Sequence, residues 1–122
     1  MAKDDYDVIV CRILVYLYAC LKRKKIFNEP EFFKSIVKNV NSEEYLIDIL
    51  RMMAEEKLIS GAEFAGTWGA DCIMLTEYCE MKVTANGIHY LQENGKMKMI
   101  LQTLKDTADT VAVLAELLGL FL

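Results

Sequence analysis

A run of helical segments, interrupted once by a glycine-bounded pair of short apolar stretches, predicts a mainly α (α+β) fold. The expected form is a winged helix-turn-helix domain with a short β-hairpin wing and a long C-terminal helix. Three observations carry it. "SEEYLIDILRMMAEEKLI", Ser42 to Ile59, pairs a capped amphipathic helix with an apolar exit into a strand. "AGTWGA" lies between two short apolar runs, with glycines at 66 and 69, which is a hairpin signal. From Met97 onward, apolar or small residues recur in steps of four and three, a sustained heptad.

The elements follow in order. Asp4 to Lys25 reads as one helix, with acids at its start and Lys22, Arg23, Lys24 and Lys25 at its end, as the helix dipole prefers. Its middle, "VIVCRILVYLYACL", is apolar nearly all round, so it is expected to be buried on more than one side. Ile26-Phe27 reads as a short strand. In "NEPEFFKSIVK", Asn28 is an N-cap and Pro30 suits the first turn of a second helix. Phe32 or Phe33 with Ile36 and Val37 forms its core face, and Lys34 and Lys38 lie on another. Ser42 caps the third helix, whose buried stripe is Leu46, Ile49, Leu50 and Met53. Glu43, Glu44, Ile47, Asp48, Arg51 and Glu55 fall mostly off that stripe. After the hairpin, Thr84 caps a helix carrying Ile88 and Leu91, which Asn94-Gly95 ends.

Lys96 to Leu122 reads as one long helix. Its seam is Met97, Leu101, Leu104, Ala108, Val111, Ala115, Leu118 and Leu122, flanked by Ile100, Leu114 and Phe121. Two units are therefore expected: a winged-helix domain over 1–95 and a helical extension over 96–122. The seam, above all Leu101, Leu104, Ala108, Val111, Ala115 and Leu118, fits a homodimer in which terminal helices pack together. The competing reading folds the tail back onto the first helix of its own chain.

The totals narrow the function. With 54% apolar residues in 122 the chain can bury a core, and its net charge of −4 gives no overall basic footprint for nucleic acid. The longest uncharged apolar stretch, Ile13 to Leu21, is too short to span a membrane. Lys3 is followed by Asp4, Asp5 and Asp7, unlike a signal peptide, so a cytoplasmic protein is expected. Cys11, Cys20, Cys72 and Cys79 have no zinc spacing and read as reduced thiols; no metal or cofactor is expected. The single histidine, His89, stands near no carboxylate, serine or cysteine in a catalytic pattern, so no enzymatic activity is expected.

Candidate binding residues fall in three groups, each with two readings. Glu44, Asp48 and Arg51 line the helix that would enter a DNA groove. Yet phosphate neutralisation dominates DNA affinity, and this helix carries acids at the groove mouth. They fit a protein-binding face as well, and Glu43 and Glu44 also stabilise the helix start. Lys22, Arg23, Lys24 and Lys25 with Lys34 and Lys38 form the strongest positive grouping: a phosphate-contact patch, or a solvated helix end. Trp68, at the wing tip between two glycines, is a partner anchor or a side chain folded back onto the core.

"DDYDVIVCRILVYLYACLK", "SEEYLIDILRMMAEEKLI" and "VTANGIHYLQENGKMKMILQTLK" together resemble the YjcQ-like family of small winged-helix proteins of Firmicutes and their phages, over roughly Asp4 to Lys105. The resemblance implies a winged helix and a DNA-binding regulator of phage or mobile-element type. The alternative from the residues is an interaction module, an inhibitor or adaptor, using the acidic third helix on a protein partner.

Overall fold

A computed structural model describes residues 5–38, 40, 42–66, 73–107 and 109–121. The chain is mainly α with a small antiparallel β region. Helix α1 (Tyr6–Leu21) runs through the middle of the core, and α4 (Ala85–Glu93), α5 (Gly95–Lys105) and α6 (Thr110–Leu117) pack on it. Burial on several sides follows from its sequence: Val8 through Leu17 are all buried, as an apolar run with no polar face requires.

The first helix is shorter than its composition suggests, because the backbone turns left-handed at Arg23, with φ 61°. Lys24 N–H then reaches back to the Ala19 carbonyl at 3.0 Å and Arg23 N–H to that of Cys20 at 3.2 Å, a Schellman ending. The bases from Lys22 to Lys25 therefore lie at and beyond the helix end. The Ile26-Phe27 segment has no regular structure and pairs with no strand among the described residues. Its neighbour Asn28 instead donates its N–H to the Tyr16 hydroxyl at 2.8 Å, and Ile26 faces solvent.

Asn28 caps α2 (Glu29–Glu31), its side chain accepting from Glu31 N–H at 2.9 Å. This turn passes directly into a π-helical segment, Phe32–Ile36, closed by Val37 N–H on the Phe32 carbonyl at 3.1 Å. Tyr16, Phe27, Phe32, Phe33 and Tyr78 form a chain of ring contacts with centroids 5.1 to 5.8 Å apart, tying α1 through this segment to the base of the hairpin.

Helix α3 (Glu43–Glu55) is capped by Ser42, which accepts from Tyr45 N–H at 3.3 Å. Its far end turns at Lys57, φ 60°, and its last carbonyls are taken up by the start of α4. Asn86 Nδ2 donates to the Glu56 carbonyl at 3.0 Å and Thr84 Oγ1 to that of Lys57 at 2.5 Å. Strands β1 (Ile59–Ser60) and β4 (Lys82–Val83) pair at the base; β2 (Glu63–Gly66) and β3 (Ile73–Glu77) continue outward, all antiparallel. Gly87 explains itself here. A Cβ at this position of α4 would lie 2.2 Å from the Leu58 carbonyl oxygen, so only glycine lets the helix approach β1.

The long C-terminal helix is a correction. The heptad segment is two helices, α5 and α6, with a break between Lys105 and Thr110. The break has a cause in the core. Arg12, only 3% exposed in the middle of α1, donates from Nη1 to Asp109 Oδ2 at 3.0 Å and from Nη2 to Oδ1 at 3.1 Å. Its Nε and Nη2 also cover the carbonyls of Ile36 and Ser35 at 2.6 and 2.9 Å, at the end of the π-helical segment. Asp109 in turn caps α6 by accepting from Val111 N–H at 2.9 Å. A residue in that cap conformation cannot also continue α5.

Candidate functional site

The outer face of α3 is built by its own amphipathicity. Leu46, Ile49, Leu50 and Met53 lock the inner face into the core, with Ile47 also buried, contrary to its placement by periodicity. Left outside are Glu43, Glu44, Asp48, Met52 and Glu55, with Tyr45 and Arg51 half-buried. Glu44, Asp48, Met52 and Glu55 step by four, four and three, which sets them in one stripe. None of Glu43, Glu44, Asp48, Arg51 or Glu55 forms an ion pair with a described residue. Met52 is the apolar member of the stripe, 39% exposed.

The six bases do not make one free patch. Lys25 Nζ is 2.7 Å from Glu31 Oε2, and Lys38 Nζ is 3.3 Å from Asp109 Oδ2, beside the Arg12 pair. Lys22 lies over the Tyr18 ring, 5.3 Å from its centroid. Arg23, Lys24 and Lys34 are exposed. Arg23, Lys24, Lys25, Ile26, Asn28 and Glu31 bound an open concavity of about 570 Å³ at the corner between α1 and α2. Ile26 stands at its rim 88% exposed, and nearby Leu21 is 45% exposed.

The described residues of the expected dimer seam pack within the chain. Leu101, Val111, Ala115 and Leu118 are buried in the same core as α1 and Leu104 is half-buried against it; Met99, Val113 and Leu117 are what α5 and α6 leave exposed. Met97, Ile100, Leu101, Val111, Leu114, Ala115 and Leu118 thus share one core with α1. Trp68 and Ala108 lie outside the described residues, as does Cys72.

Among the described residues, no group of three or more His, Cys, Asp or Glu side chains could hold a metal ion, and no helix is long and apolar enough to cross a membrane. His89 is exposed on α4. Burial pushes the Cys11 thiol up to about 12 and the Cys20 thiol to about 11. Cys79 is exposed, and its thiol is raised by its hydrogen bond to Glu77. These thiols are poor nucleophiles near neutral pH. Tyr78 bonds to Glu29, which pushes its hydroxyl up to about 12.

Sequence reasoning missed Arg12, the one buried charged residue among the described residues. A single arginine inside an otherwise apolar helix was the available signal, and Asp109, inside an otherwise regular heptad, was the other half.

A family model described as YjcQ protein matches residues 11–110, and the chain belongs to the YjcQ family. No curated protein and no solved structure matches it.

Proposed function

We propose that this protein is a non-catalytic winged-helix interaction module whose α3 docks on a protein surface of basic character and does not read DNA. In that reading α2 and α3 are the helix-turn-helix pair and the β2–β3 hairpin is the wing. One observation carries it: the outer stripe of α3 exposes Glu44, Asp48 and Glu55, none of them in an ion pair with a described residue, beside a half-buried Arg51. In a DNA groove these carboxylates would face phosphates while releasing no counterions, whereas DNA affinity grows by about 0.9 in salt slope per neutralised phosphate. On a basic protein surface the same stripe gains complementarity.

A DNA-binding regulator, as implied by the family resemblance, is the second reading. It keeps one specific observation, the exposure of Lys22, Arg23, Lys24 and Lys34. Fluorescence anisotropy against duplex DNA at low salt separates the two. The interaction-module reading expects at most weak, sequence-indifferent binding that Arg51→Ala leaves unchanged. Tight, sequence-selective binding abolished by Arg51→Ala or Asp48→Ala would overturn it.

A further inference from the structure

We propose that the basic surface α3 fits is carried by this chain itself: the α1–α2 corner of one copy seats on the α3 stripe of a second copy, head to tail. This rests on the reading of α3 as a docking face.

The two surfaces are opposite in charge, and each carries exposed apolar side chains. The corner exposes Arg23 and Lys24 around an open concavity; the stripe is the convex side of a helix bearing Glu44, Asp48 and Glu55. Each has exposed apolar side chains among its charges, Ile26 and Leu21 on the corner and Met52 on the stripe. A helix bearing Met52 amid carboxylates offers an apolar partner for Ile26 as well as charges for Arg23 and Lys24, whereas a phosphate backbone offers only the charges.

The corner is tied down by backbone and side-chain contacts. Its shape is set by the Schellman ending of α1, by Asn28 N–H on the Tyr16 hydroxyl, and by the Lys25–Glu31 pair. Arg23 occupies the left-handed position where glycine is the usual residue, so a long charged side chain is kept there at a conformational cost. Lys57 ends α3 in the same conformation, but there the chain continues into buried Leu58 and Ile59 and displays no apolar side chain. Of these two left-handed helix ends, the Arg23 corner is the one that combines exposed charge with exposed apolar side chains.

Contact between two different patches is heterologous, so it propagates into open chains or closes into a ring. Small, charge-rimmed contacts of this kind are weak and salt-sensitive.

Sedimentation velocity of the full chain over a concentration series, at about 20 mM and about 500 mM salt, tests this. The wild type is expected to associate at low salt and to be monomeric at high salt. R23E/K24E, with two acidic surfaces, and E44K/D48K, with two basic ones, are each expected to be monomeric. An equimolar mixture of the two is expected to associate again, because each supplies what the other lost. R23G is expected to melt within a few degrees of the wild type, since glycine is favoured there, and yet to associate several-fold more weakly. A wild type that stays monomeric at low salt and high concentration would overturn the proposal. So would association that both double variants retain, or low-salt duplex binding that R23E/K24E abolishes, which would make the corner a DNA contact. A monomeric wild type with no α3-dependent DNA binding would leave α3 as a docking face for another protein, so the two readings fail separately.

Discussion

Arg12 in the middle of α1 grips Asp109 at the start of α6 with two hydrogen bonds of 3.0 and 3.1 Å, across 97 residues of sequence. The pair joins three elements, since Arg12 also closes the carbonyls of Ser35 and Ile36. It is why the C-terminal segment folds as two helices lying on α1.

Removing the Asp109 carboxylate leaves the buried Arg12 charge with only the Ser35 and Ile36 carbonyls as partners. Asp109→Ser keeps a side chain able to cap α6 but deletes the charge, and is expected to destabilise the protein by about 3 kcal/mol, well beyond the loss of a cap. Urea unfolding of the variant beside wild type measures it. A cost under about 1 kcal/mol would mean that Arg12 finds other partners.

The same pair predicts a pH dependence. Burial alone would raise the Asp109 carboxyl, but hydrogen bonds from Arg12 and Val111 and the charges of Arg12 and Lys38 outweigh it and hold it below the usual carboxylate value. A group depressed in the folded state stabilises fully above its unfolded pKa, about 3.9, and the contribution fades as pH falls through the lower folded value. Thermal melts from pH 7 down to pH 2 should therefore show the wild-type advantage over Asp109→Asn shrinking below about pH 4. A gap constant across that range would contradict the assigned charge pairing.

Gly87 and Gly61 are fixed by close backbone approach. A Cβ would come within 2.2 Å of the Leu58 carbonyl oxygen at Gly87 and 2.0 Å of the Glu80 carbonyl oxygen at Gly61, where φ is also +81°. Gly87→Ala is expected to cost about 2 kcal/mol or more, despite alanine's better helix propensity, because the contact is with backbone that cannot step aside. Gly95, where an added Cβ would meet nothing within 4 Å, is the control: Gly95→Ala should be neutral or slightly stabilising. Equal effects at the two sites would refute the packing explanation.

Thiol labelling reads the core directly. With Cys11 buried and its thiol near 12, and Cys20 near 11, iodoacetamide on the native protein at neutral pH should reach exposed Cys79 before either of them. Peptide mass mapping over a time course would show the order, and early labelling of Cys11 would mean that α1 opens readily.

Local chemistry made much of the fold legible in the sequence. Asn28, Ser42 and Thr84 each cap the helix that follows through a backbone N–H three residues ahead, so the signal and its partner fall in one short window. The hairpin announced itself through its glycines. What was hidden depended on distant partners. The heptad spacing runs unbroken past residue 109, and only Arg12, far away in the chain, turns Asp109 into a helix start. The end of the first helix at Arg23 was concealed because an arginine sits where a glycine would have marked it. Ile26-Phe27 looked like a strand, but its neighbouring backbone N–H is satisfied by the Tyr16 hydroxyl. On the surface, the acidic stripe of α3 was readable from periodicity, whereas the pairing of Lys25 with Glu31 and of Lys38 with Asp109 needed the tertiary fold.

The most direct test of the claim that α3 does not read DNA is an amide chemical-shift titration of the isotope-labelled, monomeric protein with duplex DNA. The prediction is that resonances of Glu44, Asp48, Arg51 and Glu55 stay in place, any shifts being confined to the exposed bases from Lys22 to Lys34. Saturable shifts concentrated on α3 would contradict it and make this helix a DNA reader after all.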